Sequence, residues 1–177
     1  MEERKLSDEQ TMQRMLARLS HEIIERNGEQ SELFLVGIRR RGIPLAERIK
    51  TNIERFSDVR VQLGELDITL YRDDLAERFD APQVSRTAIP FDVNGKVIVL
   101  VDDVLYTGRT ARAAMDALIQ LGRPAAIQLC VAVDRGHREL PISANFVGKN
   151  IPTSLEEFVS VRVEEIDGVN EITVTRK

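Results

Sequence analysis

The stretch VIVLVDDVLYTGRTARAAM, residues 97–115, joins an unbroken apolar run to two acids, a short polar turn and a segment with helical spacing. A continuous run of this kind reads as a strand buried on both faces, the pattern of parallel strands in α/β sheets. Residues 109–121 follow as a helix closed by Gly122. Asp102 and Asp103 therefore stand at the carboxyl end of a strand and just ahead of a helix start. Working outward, LFLVGI (33–38) and AIQLCVAV (126–133) are further buried strands, RRRG (39–42) is a basic loop, and Pro44 opens a short helix carrying Leu45, Ala46 and Ile49. Strands alternating with helices imply an α/β fold with a mostly parallel central sheet flanked by helices and joined by right-handed crossovers.

The flanks complete this outline. Ser7 with Gln10 fits a capping box, after which Met12, Met15, Leu16, Leu19 and Ile23 recur at helical spacing until Asn27 and Gly28. Residues 59–71, VRVQLGELDITLY, alternate as a strand, whereas residues 72–90 are polar, carry two prolines and keep no period, which predicts a long mobile loop. FVSVRVEEI (158–166) and NEITVTR (170–176) flank Asp167-Gly168 and predict a terminal antiparallel hairpin. No repeat or linker divides the chain, so residues 1–177 are expected to form a single domain, with enough apolar content (42%) to bury one substantial core.

Composition excludes several classes. No apolar run approaches the roughly 20 residues that span a bilayer, and residues 1–10 are charged rather than signal-like, so no membrane association and a cytoplasmic location are expected. The single cysteine, Cys130, rules out an intrachain disulfide or a cysteine-based zinc site and reads as buried filler. A net charge of -4 argues against indiscriminate polyanion binding, while leaving room for a local basic face.

In open parallel sheets, ligands bind beyond the carboxyl ends of strands, where loops meet helix N-termini. The turn after Asp103 offers Val104, Leu105 and Tyr106, the hydroxyls of Thr107 and Thr110, the cation of Arg109, and Gly108 for close backbone approach. The free amides of the helix start favour an anion there. Carboxylates beside a phosphate would repel it unless they contacted sugar hydroxyls or a divalent metal, so the arrangement suits a phosphorylated sugar. Two simpler readings compete. An acidic pair after IVLV also opens receiver domains, but there the strand is the chain's first, whereas about 95 residues precede this one. A plain strand-to-helix turn needs an Asp cap and a Gly bend, but not a second acid followed by T-G-R-T.

VIVLVDDVLYTGRT resembles the signature of the type I phosphoribosyltransferases. LVGIRRRGIPLA, DITLYRDD, GRP, VDRGHRELP and VGKNIPTS extend the resemblance over nearly the whole chain, to those members that are both uracil phosphoribosyltransferases and regulators of pyrimidine operons. The resemblance implies the type I phosphoribosyltransferase fold, with a flexible loop, a small hood and a C-terminal hairpin. It implies that Asp102 and Asp103 are catalytic, holding the ribose of phosphoribosyl pyrophosphate and a Mg2+ ion, and that residues 104–110 hold the 5'-phosphate. Arg39, Arg40, Arg41 and Gly42 match the pyrophosphate loop, which in the family can adopt a non-proline cis peptide; three guanidiniums also suit a diphosphate on chemical grounds. Tyr71 and Arg72 match the base of the flexible loop, though a strand end and a solvated arginine read equally well there. Closure of that loop would exclude water, which competes with uracil for the positively charged sugar.

Uracil itself is expected against Asp134, Arg135, Val147, Lys149 and Ile151; Asn145, Lys149 and Asn150 read equally as surface polar residues. Purine enzymes of the family carry an acid just before the Thr-Gly pair, where this chain has Tyr106, which disfavours a purine. Arg14, Arg18, His21 and Glu25 share a narrow arc of the first helix opposite its apolar stripe. Taken alone this is a solvated face, and the two histidines are ordinary surface or turn residues. The resemblance implies that Arg14, Arg18, His21, Arg26, Arg135, His137 and Arg138 contact a leader mRNA hairpin, more tightly with UMP or UTP bound, and promote transcription attenuation. It also implies a homodimer or a higher homo-oligomer. The alternative is a phosphoribosyltransferase for another base, orotate or hypoxanthine/guanine, without RNA binding.

Overall fold

The structure, a computed structural model, describes residues 2–71, 73 and 85–176. The expected loop at 72–90 falls largely outside them, and so does the candidate Arg72. Among the described residues the elements run β1 (Glu2–Ser7), α1 (Glu9–Arg26), β2 (Glu32–Ile38), α2 (Gly42–Phe56), β3 (Arg60–Leu66), a 3-10 turn (Thr69–Tyr71), β4 (Val97–Leu105), α3 (Arg109–Leu121), β5 (Ala126–Asp134), β6 (Phe146–Asn150), β7 (Glu157–Arg162), α4 (Glu164–Asp167) and β8 (Glu171–Arg176). They form a parallel five-stranded sheet in the order β3-β2-β4-β5-β6 and an antiparallel three-stranded sheet in the order β1-β8-β7.

Strand alternation sorts the apolar residues onto the two faces of the parallel sheet. Leu33, Leu35, Val99, Val101, Cys130 and Ala132 face one core with α1, α2 and the inner residues of the small sheet, Val161, Ile172 and Val174. Phe34, Val36, Ile98, Leu100, Leu129 and Val131 face a second core with Ala111, Ala113, Ala114, Ala117 and Leu118 of α3. Cys130 is 1% exposed, and burial pushes its thiol up to about 12, which leaves it a packing group rather than a nucleophile.

Three expectations shift. The cap of α1 is Asp8, whose carboxylate accepts from the Thr11 amide at 2.9 Å, rather than Ser7. The chain stays extended through Ser7 because β1 pairs with β8. β1 itself has no apolar alternation; it is a charged strand held at an edge by ion pairs, Lys5 to Glu171 at 2.7 Å and Glu3 to Arg162 at 2.6 Å. The helix after Pro44 is not short: α2 runs for 15 residues because Leu45, Ala46, Ile49 and Ile53 keep a buried stripe. Finally, Val147 and Lys149, expected against uracil, lie on β6, an edge strand of the main sheet paired with β5.

The order of strands decides where a ligand sits. From β2 the chain moves outward to β3, and from β4 it moves outward in the other direction to β5 and β6. β2 and β4 are neighbours, so the loops beyond their carboxyl ends diverge and open a crevice at the switch point. Those loops are 39–42 and the turn at 106–108.

Candidate active site

The backbone brings the two loops together before any side chain does. Gly42 opens α2 against β4: a Cβ there would collide with the Val101 carbonyl oxygen and meet Asp102 Cα at 3.4 Å. The Arg39–Arg40 peptide is cis. In this loop Arg39 donates to Glu65 at 3.0 Å, and its Nε is buried without a partner among the described residues. Arg40 is exposed. Arg41 forms a two-pronged pair with Asp167 of α4, at 3.1 and 2.6 Å. That hydrogen-bonded pair holds the Asp167 carboxyl below the usual carboxylate range, so the link between this loop and α4 persists across neutral pH. Arg41 also feels the charge of Asp103, which puts the basic loop within electrostatic reach of the acidic pair.

β4 continues past the acids to Leu105, so Asp102 and Asp103 lie within its last four residues rather than beyond its end. Asp102 is buried, 8% exposed, and Asp103 is half-buried. One oxygen of each caps the next amide: Asp102 Oδ1 accepts from Asp103 N at 2.8 Å and Asp103 Oδ1 from Val104 N at 2.7 Å. These short local bonds orient one oxygen of each carboxylate. Gly108 then takes φ 93°, a left-handed conformation that favours glycine, and caps α3. Thr107 Oγ1 accepts from Arg109 N at 3.2 Å. A cavity of about 360 Å³ opens here, lined by Asp102, Val104, Leu105 and residues 106–111, with Leu129, Val131 and Glu139. Arg109 reaches Asp73 and Glu139, both acids that sequence reasoning did not single out.

The residues expected around the base gather at the ends of β5 and β6. Ile151 donates to the Asp134 carbonyl at 2.9 Å, and Lys149 pairs in register with Val133. Arg135 is buried, 5% exposed; its guanidinium lies 4.0 Å over the Tyr106 ring and donates to Thr153 Oγ1 and to the Ser154 carbonyl, each at 3.2 Å. Val147 and Gly148 present their carbonyls to Arg18 of α1. Arg18 is thus partly committed to β6, and also to Glu22 at 2.7 Å, whereas Arg14 and Arg26 are exposed on α1. His21 stacks on Phe56 at 4.4 Å. His137, at φ 63°, contacts the Thr153 carbonyl at 2.6 Å, and Arg138 donates to Ile142 O, Tyr106 O and Asp134.

The base of the expected loop is anchored by Asp67, 8% exposed, whose carboxylate accepts from Thr69 N at 3.0 Å, Thr69 Oγ1 at 2.7 Å and Arg86 N at 3.1 Å. Burial pushes this carboxyl up, but the hydrogen bonds from Thr69 and Arg86 outweigh it, so its pKa lies below the ordinary 3.8. Its stabilising effect is full above 3.8 and is lost as pH falls through the depressed value. Asp67→Asn sets an amide donor against these donors, and we expect a loss of about 1–3 kcal/mol. Urea denaturation at pH 7, read as a lower midpoint with unchanged slope, checks it.

Residues 4–165 match the phosphoribosyl transferase domain. The protein named "Bifunctional protein PyrR" in Chloroflexus aurantiacus is 58% identical over 98% of this chain and 96% of its own. The protein of that name in Thermus thermophilus is 63% identical over 91% of this chain and 89% of its own. The chain belongs to the PyrR branch of the phosphoribosyl transferase family. The type I phosphoribosyltransferase fold is shared with solved structures at low identity. The hypoxanthine phosphoribosyltransferase of Trypanosoma cruzi superposes with a TM-score of 0.75 at 17% identity, over 98% of this chain and 96% of its own. A hypoxanthine-guanine phosphoribosyltransferase of Bacillus anthracis gives 0.71 at 17%, over the whole of both chains.

Within the site, the groups that sequence reasoning missed are mostly partners of those it found. Glu65 and Asp167 hold Arg39 and Arg41, Asp73 and Glu139 hold Arg109, and Thr153 and Ser154 hold Arg135. Asp167 carried a signal, since it precedes Gly168 at φ 71°, but that signal was for a turn and not for its pairing 126 residues away. Among the described residues no cluster of three or more potential metal ligands converges. Two neighbouring carboxylates suit a Mg2+ ion, which keeps waters and substrate oxygens as its other ligands. The buried, unpartnered Arg39 Nε suits an anionic diphosphate. Among the described residues no helix is long and apolar enough to cross a membrane.

Proposed function

We propose that the chain is a uridine-nucleotide-sensing regulator that binds the leader mRNA of pyrimidine biosynthesis genes to promote transcription attenuation, and that it also converts uracil and phosphoribosyl pyrophosphate to UMP and pyrophosphate. The observation that carries the reading is the switch-point crevice. An acidic pair and a left-handed glycine turn stand on one strand end and three arginines on the next, in a chain whose relatives are named bifunctional.

In this reading Asp102 and Asp103 accept hydrogen bonds from the ribose hydroxyls and balance positive charge that develops on the sugar as the C1–oxygen bond to pyrophosphate breaks. Uracil N1 forms the new bond to C1, and the N1 proton is released to solvent. The turn at 106–110 grips the 5'-phosphate, and Arg39, Arg40 and Arg41 receive the departing pyrophosphate. Mg2+, held by Asp102 and Asp103, would neutralise charge on the leaving group. Catalysis then rests on positioning and electrostatics, without a protein nucleophile. Tyr106, with Arg135 stacked on its ring, supports a pyrimidine over a purine.

Labelled phosphoribosyl pyrophosphate offered in turn with uracil, orotate, hypoxanthine and guanine tests the enzyme: UMP formation alone is expected. A gel shift with a pyrimidine-leader hairpin, with and without UMP, tests the regulator. Arg14→Ala is expected to weaken RNA binding about tenfold, the effect of one lost charged contact, while leaving UMP synthesis unchanged. Arg18→Ala is expected to disturb both, because Arg18 also holds the Val147 and Gly148 carbonyls.

A further inference from the structure

The segment 135–140 grips the phosphate turn through three successive carbonyls. Arg135 N donates to Leu105 O at 3.1 Å, Arg138 Nη1 to Tyr106 O at 2.6 Å, and Glu139 N and Leu140 N to Thr107 O at 2.9 and 3.1 Å. In a planar trans peptide the C=O and the following N–H point in opposite directions. Fixing the Tyr106 carbonyl toward Arg138 therefore turns the Thr107 amide the other way, and fixing the Thr107 carbonyl does the same for the Gly108 amide. Among the described residues neither amide donates to a protein acceptor. Two adjacent amides oriented together at a helix start form an anion nest.

Of these grips, the middle one is made by a side chain. The Arg138 guanidinium is held in turn by Ile142 O at 2.7 Å and Asp134 Oδ2 at 2.7 Å, and its stem lies 3.5 Å from where a Gly108 Cβ would stand. The fork is thus pre-set by two acceptors that have no part in the turn, and its third pair of atoms decides how the Tyr106–Thr107 peptide lies. We propose that Arg138 is a positioning residue of the phosphate site: it orients the Thr107 amide toward the ligand's phosphate without touching the ligand. This rests on the reading of residues 106–110 as a phosphate site, and it gives Arg138 a duty beyond any contact with RNA.

Ribose 5-phosphate is the probe, because it carries the phosphate and sugar but no base, so the result does not depend on which base is used. By isothermal titration, Arg138→Gln is expected to weaken ribose 5-phosphate about tenfold, the loss of one charge-assisted orienting bond. Arg138→Lys, which keeps the charge but not the fork, is expected to weaken it about threefold. With phosphoribosyl pyrophosphate as substrate, KM should rise in step while kcat stays within about twofold, a split that general loosening of the fold would not give. Amide exchange in the wild type should slow at Thr107 and Gly108 when ribose 5-phosphate is added, and slow less in Arg138→Lys. Unchanged affinity in both variants, or in Arg138→Lys if Arg138→Gln does not fold, overturns the proposal. Wild-type protein that fails to bind ribose 5-phosphate overturns the phosphate site itself, and the proposal with it.

Discussion

Asp103→Asn is expected to lower kcat/KM for phosphoribosyl transfer by about a hundredfold or more while leaving the fold intact. The substitution keeps size and one acceptor oxygen, so the local bond from Val104 N at 2.7 Å can survive. What is lost is the negative charge and the acceptor capacity of the other carboxylate oxygen. A hydrogen bond to a charged group contributes about 1.5–3 kcal/mol, and a carboxylate facing a sugar that becomes positive in the transition state adds electrostatic stabilisation on top. At about 1.4 kcal/mol for each factor of ten, these losses reach two orders of magnitude. Steady-state rates with saturating uracil, together with a melting curve, check the prediction. A fall of less than about fivefold at unchanged melting temperature would remove Asp103 from the chemistry.

Gly42→Ala is expected to be the most damaging single methyl in the chain near the site. The added Cβ runs into the Val101 carbonyl oxygen, and that oxygen belongs to the central strand of the sheet, which cannot move aside as a flexible side chain would. Overpacking against backbone costs about 1–3 kcal/mol, which for a chain of this size lowers the melting temperature by roughly 2–12 °C. The displaced start of α2 also carries Arg41 away from its pairing with Asp167, so KM for phosphoribosyl pyrophosphate should rise several-fold. Gly168→Ala is the control. That glycine sits at φ 71° with nothing within 4 Å of an added Cβ, so it meets only backbone strain, about 1–2 kcal/mol, with no change in KM. Similar KM shifts in both variants would show that the close approach of α2 to β4 does not matter for the substrate.

The parallel core was legible because its signal is dense. LFLVG, VIVLV and LCVAV are apolar without interruption, and Leu33–Val36, Ile98–Val101 and Leu129–Ala132 within them alternate between the two cores of the main sheet. The acidic pair and the Thr-Gly turn were legible because they follow such a strand directly. β1 was not, since EERKLS has no apolar alternation and becomes a strand through pairing with β8, 164 or more residues away, and through ion pairs such as Lys5 to Glu171. β6 was hidden for a related reason: five residues with a central glycine carry no sustained strand pattern, and their strand character comes from β5 beside them and from α1, whose Met15 packs where a Gly148 side chain would stand. The cap at Asp8 moved by one position because the sheet, not the helix, decides where extended backbone ends.

Site residues divided the same way. Those whose role follows from local sequence, such as Gly108 at φ 93° and the self-capping carboxylates, could be named in advance. Those that act through long-range pairing could not, because nothing near Asp167 in the chain announces Arg41, and nothing near Arg138 announces the Tyr106 carbonyl. The α1 cations show the converse difficulty. Arg14 and Arg18 share one helical arc and are both exposed, yet Arg18 also bends onto the carbonyls of β6.

A crystal structure of the protein with UMP bound is the most direct test of the central claim. The expected result is the ribose hydroxyls on the carboxylates of Asp102 and Asp103, the phosphate against the amides of the turn at 106–110, and uracil beside Asp134 and Ile151. UMP bound instead in the separate cavity between α1, α2 and α4, which is lined by Glu9, Arg48 and Glu164, would contradict it.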